Sequence, residues 1–370
     1  MVRLLVSAML FPVLMALAPT TAAQAPQGLD EFLAPIRERH RVPALGAAVL
    51  VDGRLAAIGV SGKRKHGSDA EVTVDDRWHL GSCTKAMTAT LLARHVDRGR
   101  LSWNDTVAER MPDLLDGMHA QARAITVADL LRHRAGLPRG PSRALWSELF
   151  RFEGSDRDAR TAVAAELLQR APTTAPGTRY LYSNAGYMIV GAIAERIDER
   201  PWSEQMRAEL FDPLAMRSAG FGPPGRRDAV EEPWGHRPGP RGPVPVFHDN
   251  PSSLGPAGTV HASLRDWARF VGLHLGVCDP GRQPLVRDAT LRTLHTPPDG
   301  TDYAFGWRVT RRGWAPGPIL THSGSNTMWY CVAWLAPEID FAVLVTCNQG
   351  DAAGACDEVA AACIRRFRRD

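Results

Sequence analysis

Lysine is almost missing from this chain. Of its 44 basic residues only Lys63, Lys65 and Lys85 are lysines, and the other 41 are arginines. Arginine therefore fills nearly every role that needs only positive charge, and each lysine calls for a separate reason. Other scarcities exclude whole classes. A formal net charge of +4 spread over 370 residues leaves no basic face for nucleic acid. Past the N-terminal segment, no run is long and apolar enough to span a bilayer. There is no Gly-x-Ser-x-Gly elbow, no His-Glu-x-x-His and no phosphate-binding loop, so no metal or cofactor is implied. Six cysteines permit disulfides but fix none. Cys83 reads as a buried free thiol, and Cys331 and Cys347 fall on opposite faces of adjacent predicted strands. Cys356 and Cys363 are two helical turns apart, too far to bridge. Cys278, in a loop, is the best candidate for half of any bridge.

What is present begins with the third lysine. Gly81-Ser82-Cys83-Thr84-Lys85 precedes a long apolar run, so Ser82 and Lys85 share one face of a helix start. Arginine cannot give up its proton, whereas a buried lysine can become a neutral base. Ser-x-x-Lys thus reads as a nucleophile with its proton acceptor one turn away. The bland alternative is a capping serine and a surface lysine. With 16 serines and three lysines, about 0.13 chance matches are expected, so the motif needs company.

Tyr182-Ser183-Asn184 and His322-Ser323-Gly324 follow in order. Together the three elements resemble the penicillin-recognising serine hydrolases: class C β-lactamases, D-Ala-D-Ala carboxypeptidases, D-aminopeptidases and esterases. Val127 to Pro138, Pro176-Gly177-Thr178, Pro256 to Val260 and Tyr303 to Trp307 are similar to further landmarks of that superfamily. The likeness spans roughly residues 28 to 365. It implies Ser82 as nucleophile, with Lys85 and Tyr182 moving protons, Tyr182 as a phenolate held by nearby positive charge. Asn184 would bind a substrate amide and orient Lys85. His322 and Gly324 would edge the cleft, and the N–H groups of Ser82 and Ser325 would hold an oxyanion. Many relatives place lysine where this chain has His322. His133 is expected to be structural, supporting the turn at Gly136-Leu137-Pro138.

The composition, 44% hydrophobic and 23% charged, suits a soluble globular protein of one large or two ordinary domains. Arg3, the apolar stretch Leu4 to Leu17 and the small residues near Ala23 and Ala25 read as a signal peptide over 1–25. The expected location is periplasmic or secreted, with no membrane span. Leu45–Val51 and Leu55–Val60 predict a hairpin, and Ser82 to Arg98 a buried helix. Residues 223–257, rich in Pro and Gly, predict a long surface loop. Strands are expected at Ala304–Thr310, Ile319–His322, Trp329–Leu335 and Phe341–Thr346, then a helix over 352–366. The fold class is α/β (α+β): an antiparallel sheet flanked by helices, about 28–80 and 300–370, with an α-helical subdomain inserted at about 81–299.

The expected partner is a small-molecule or peptide substrate, cleaved at an amide or ester bond. The rivals are an esterase with no peptide role and a non-hydrolytic module that binds muropeptide or penicillin. Lys85→Arg is expected to fold normally and lose activity.

Overall fold

The computed structural model describes residues 25–277 and 283–368. The expected signal segment, apart from Ala25, and Cys278 lie outside them. The strands are β1 (Gln27–Gly28), β2 (Ala44–Val51), β3 (Arg54–Gly62), β4 (Arg77–His79), β5 (Gly220–Phe221) and β6 (Gly235–Arg237). They continue with β7 (Val244–Val246), β8 (Val260–Ser263), β9 (Arg308–Thr310), β10 (Ile319–Ser325), β11 (Tyr330–Ala336) and β12 (Phe341–Cys347). The longer helices are α1 (Asp30–His40), α2 (Thr84–Asp97), α3 (Asp156–Leu168), α4 (Asn184–Asp198), α5 (Leu264–His274) and α6 (Ala353–Phe367).

Seven strands form the main sheet in the order β1-β3-β2-β12-β11-β10-β9. All neighbours are antiparallel except the short β1 beside β3. Asp52 and Gly53 both take positive φ, 51° and 69°, as a two-residue hairpin turn requires. Side chains alternate with period two along β12. Val343, Val345 and Cys347 pack with α1 and α6 on one face, and Ala342 and Leu344 pack toward α2 and α5 on the other. Both faces are covered, so the strand is apolar throughout despite its antiparallel neighbours. Cys331 and Cys347 indeed belong to opposite faces, and the five cysteines described are all free and buried.

Helix α2 decides where the site lies. Ala86, Met87 and Leu91 join the sheet core, while Ala89, Leu92 and Ala93 join a second core with α3 and α4. Eleven of the fourteen residues of α2 are buried, and polar ones among them are bonded inside: Thr88 donates to Pro256 O, Thr90 to Ala86 O, and His95 pairs with Gln205 Oε1. Its N-terminus consequently opens at the seam between sheet and helical layer.

Three local expectations are corrected. The strand expected at Ala304–Thr310 survives only as β9, because Gly306 (φ 80°) turns the chain tightly against α2. A Cβ there would lie 2.5 Å from Ala86 N. The 223–257 segment is not simply a surface loop: it contains the β6–β7 hairpin, and its end, Leu254 to Ala257, is buried. Within the 81–299 span, α5 packs on the main sheet through Leu264, Trp267 and Val271.

Candidate active site

Ser82 sits in a single turn of 3₁₀ helix, Gly81–Cys83, that leads into α2. Gly81 has φ 47°, and a Cβ on it would lie 2.4 Å from Ser325 N. A Cβ on Gly324 would lie 2.0 Å from Leu80 O. Both glycines are therefore required for the Leu80–Ser82 backbone to lie directly against Gly324–Ser325 of β10. Strand β9 pairs with β10 only at Ile319–Thr321, which leaves the 322–325 half as a strand edge.

Lys85 is fully buried. Its Nζ lies 3.0 Å from Ser82 Oγ, 2.8 Å from Asn184 Oδ1 and 2.7 Å from Ala257 O. None of these is a carboxylate. Burial pushes the Lys85 amine well below its ordinary value, and the Arg139 charge acts in the same direction. A neutral amine has two hydrogens and one lone pair. Asn184 Oδ1 and Ala257 O can only accept, so they take the two N–H groups. The lone pair is left facing the Ser82 hydroxyl.

Tyr182 Oη lies 2.8 Å from the same Ser82 Oγ. Burial raises the phenol to about 12, against the opposing pull of the Ser82 hydrogen bond and the Arg139 charge. Where the family resemblance implies a phenolate, burial favours a phenol, able to donate to Ser82 Oγ.

The Tyr182 backbone is held by the segment 133–139. His133, at φ 57°, accepts from Ser183 N through Nδ1 (3.1 Å), and its carbonyl accepts from Leu181 N (2.7 Å). Ser183 Oγ donates to Pro138 O (2.6 Å) and caps α4 by accepting from Gly186 N. His133 thus grips the tyrosine motif as well as preceding the Gly136 turn. Four of the chain's five tyrosines surround its ring: Tyr180, Tyr182, Tyr187 and Tyr303, with centroids 4.3 to 5.8 Å away. Burial keeps this imidazole well below its ordinary pKa.

The His322 ring is bonded elsewhere than to Ser82, Lys85, Tyr182 or Asn184. Its Nδ1 donates to Ser323 O (2.6 Å), and in the neutral ring Nε2 accepts from Tyr303 Oη (2.9 Å). The structure therefore brings together Ser82, Lys85, Tyr182 and Asn184, sets Gly324 and Ser325 against them, and turns the His322 ring toward Tyr303. Sequence reasoning missed Ala257 O, Arg139 and the role of Tyr303. Pro256 to Val260 and Tyr303 to Trp307 stood out as landmarks, but nothing local shows what their atoms face. Arg139, whose guanidinium lies 5.7 Å from the Tyr182 ring centroid, left no signal among 41 arginines. Among the described residues, no cluster of His, Cys, Asp and Glu is arranged to hold a metal, and no helix is long and apolar enough to cross a membrane.

The chain matches the beta-lactamase family model over residues 29–362. It is 32% identical over 304 residues to penicillin-binding protein 4 of Amycolatopsis lactamdurans, covering 79% of this chain and 77% of the relative. A beta-lactamase of Escherichia coli is 25% identical over 311 residues, covering 82% of this chain and 76% of the relative. A solved structure titled as a beta-lactamase/D-alanine carboxypeptidase from Pseudomonas syringae superposes with a TM-score of 0.74 at 20% identity. It covers 91% of this chain and 97% of its own.

Proposed function

The chain belongs to the beta-lactamase family of serine hydrolases, and on that premise we propose that it is exported and cleaves an amide or ester through an acyl-enzyme on Ser82. The observation that carries this reading is the hydrogen-bond count at Lys85. Two fixed acceptors absorb its N–H groups, and the remaining lone pair meets the Ser82 hydroxyl at 3.0 Å. Such an amine is a general base aimed at a nucleophile.

Attack on the acyl carbon passes the Ser82 proton to Lys85. Tyr182, 2.8 Å from the same oxygen, gives its phenolic proton to the departing amine or alkoxide. Lys85 returns a proton to Tyr182, which leaves the acyl-enzyme with both groups in their resting protonation states. The phenolate exists only within this cycle, where the Lys85 ammonium and the Arg139 guanidinium lower its cost. The N–H groups of Ser82 and Ser325 hold the tetrahedral oxyanion, each such donor contributing about 10²–10³ in rate. Water then cleaves the ester with the same pair moving protons.

Export to the periplasm or beyond rests on the N-terminal charge, apolar stretch and small-residue cleavage sites. A complete proton-transfer set argues against a module that only binds. The esterase reading has one observation in its favour: the His322 ring, where relatives offer a lysine, is occupied by Tyr303 and Ser323 O. The test is intact mass after treatment with a fluorophosphonate, on wild type and Ser82→Ala. A single adduct on wild type alone is expected, and an unlabelled wild type overturns the hydrolase mechanism. Nitrocefin, D-Ala-D-Ala peptides, D-amino acid amides and p-nitrophenyl esters then sort the substrate class.

A further inference from the structure

Beneath the nucleophile turn lies a second buried polar network that the mechanism above does not use. His79, on β4, is 1% exposed, Asp249 from the 223–257 segment is 8% exposed, and Asn326, just past β10, is 4% exposed. His79 Nε2 donates to Asp249 Oδ2 at 2.7 Å. Its Nδ1 accepts from Gly81 N at 3.1 Å, one residue before Ser82. Asp249 Oδ1 accepts from Asn326 Nδ2 at 2.8 Å and from Asn250 N at 2.7 Å. Asn326 Oδ1 in turn accepts from Met328 N and Trp329 N, both at 3.1 Å, closing the turn that follows Ser325. The Trp329 ring stacks on His79 with centroids 5.5 Å apart.

We propose that Asp249, His79 and Asn326 are positioning residues that fix the spacing of the Ser82 and Ser325 N–H groups. One arm of the network ends on the peptide before Ser82, the other on the turn after Ser325, and a single carboxylate joins them. The proposal rests on the assignment of those two N–H groups as the oxyanion hole. The network has one polarity. The groups bonded to Asp249 are all donors, and the carboxylate, held below its ordinary pKa by the His79 ring and these bonds against the cost of burial, accepts from all of them. Asp249→Asn puts a donor into that centre. If the new amide faces His79, the ring must accept at Nε2 and carry its proton on Nδ1, opposite Gly81 N–H. If it faces the other way, it opposes Asn250 N–H and Asn326. One hydrogen bond is lost in the first arrangement and two in the second, without any change of size.

The experiment compares wild type, Asp249→Asn and Asn326→Ala. Active sites are first counted with a fluorophosphonate, so that misfolded molecules drop out. For Asp249→Asn, kcat per titrated site on a p-nitrophenyl ester should fall about 10- to 100-fold, the range for groups that orient a reacting site. KM should change less than about threefold, as expected when only transition-state binding is lost. Affinity for a boronic acid, which mimics the tetrahedral state, should fall by the same factor as kcat. The pH midpoint of kcat/KM, set by the proton-transfer pair, should stay put. Asn326→Ala loosens only the Ser325 arm and should show a smaller loss of the same kind, which keeps the test alive if Asp249→Asn does not fold. Wild-type kcat and boronate affinity per titrated site in a folded variant, whatever its melting temperature, overturn the proposal. An unlabelled wild type instead overturns the Ser82 reading beneath it.

Discussion

Among the described residues two long basic side chains are buried, Arg160 and Lys85, and they are treated in opposite ways. Arg160, on α3, is 2% exposed and meets the Glu195 carboxylate with both Nε and a terminal nitrogen, adding Ser253 O through its other nitrogen. Lys85, on α2, meets a hydroxyl, an amide oxygen and a carbonyl, none of them charged. A guanidinium keeps its charge in any protein, so it must be buried with a counter-ion. An amine can drop its proton instead, and Lys85 is placed where that is the cheaper course. The pair explains why a chain of 41 arginines retains a lysine here. The arginine joins α3 to α4, and the lysine is left available for chemistry.

Lys85→Arg breaks the contrast most severely. Turnover should fall about 10²-fold or more, because the base is removed while the charge remains. The expectation that this variant folds normally does not survive the structure. A permanent charge would sit at full burial with no carboxylate, a defect that costs about 3–5 kcal/mol. Lys85→Met should be equally inactive yet melt above wild type. The sign follows from linkage. Lys85 titrates lower folded than unfolded, so the unfolded chain holds the extra proton below the ordinary lysine pKa. The wild type therefore gains stability as pH rises from the depressed value toward the unfolded one, and Lys85→Met lacks that slope. Urea unfolding of both proteins from pH 7 to 10 checks it, and parallel curves would show that Lys85 is charged in the fold.

The converse variant, Glu195→Gln, strands the arginine. The fold should lose about 3–5 kcal/mol in urea, because Arg160 would then be charged, buried and unpaired. Trp202 N, which donates to Glu195 Oε1 at 2.8 Å, retains an acceptor in the new amide. Turnover per titrated active site should stay within about twofold, since the pair touches none of the reacting groups. A stability loss below about 1 kcal/mol would mean that the ion pair is not what makes arginine tolerable there.

Tyr182→Phe comes next in size. It removes the proton donor and leaves Lys85 with its three partners. Acyl transfer should drop about 10²-fold, with urea stability changed by about 1 kcal/mol, the value of one net hydrogen bond. An unchanged rate would return Tyr182 to a packing role beside His133.

What the sequence could reveal of this contrast depended on distance along the chain. Ser82 and Lys85 are legible because three residues on a helix fix their geometry. Tyr182 and Asn184 became legible only through likeness to a family, since no local rule links them to a serine a hundred residues earlier. Ala257 supplies a backbone oxygen, which any residue type would supply, so its part in neutralising Lys85 left no mark. The 223–257 segment read as a surface loop because its proline and glycine break every periodicity. It can nonetheless bury Asp249 and Leu254 to Ala257, because His79, Asn326 and Lys85 bond polar groups it carries inside. Arg160 and Glu195 were invisible for another reason: each lies on the inward face of its own helix, and their pairing is purely tertiary.

The smallest effect separates His322 from the lysine that relatives place there. The neutral ring gives its Nδ1–H to Ser323 O and keeps Nε2 as an acceptor for Tyr303. Burial holds the Tyr303 phenol well above its ordinary value, so it stays a donor. No N–H of this ring is left to face a substrate carboxylate. A charge-assisted hydrogen bond contributes about 1.5 kcal/mol or more, so its absence should lower kcat/KM for an anionic cephalosporin about tenfold relative to a neutral ester. His322→Lys should restore that factor. Tyr303→Phe is the finer probe. It removes the hydroxyl from Nε2 and leaves a bare lone pair there, which offers a carboxylate no hydrogen. The cephalosporin-to-ester ratio in Tyr303→Phe should therefore stay near that of wild type and well below that of His322→Lys. Taking the ratio cancels any common loss at Lys85 or Tyr182. A wild type that hydrolyses the cephalosporin at the rate of an efficient enzyme would show that carboxylate recognition does not depend on position 322.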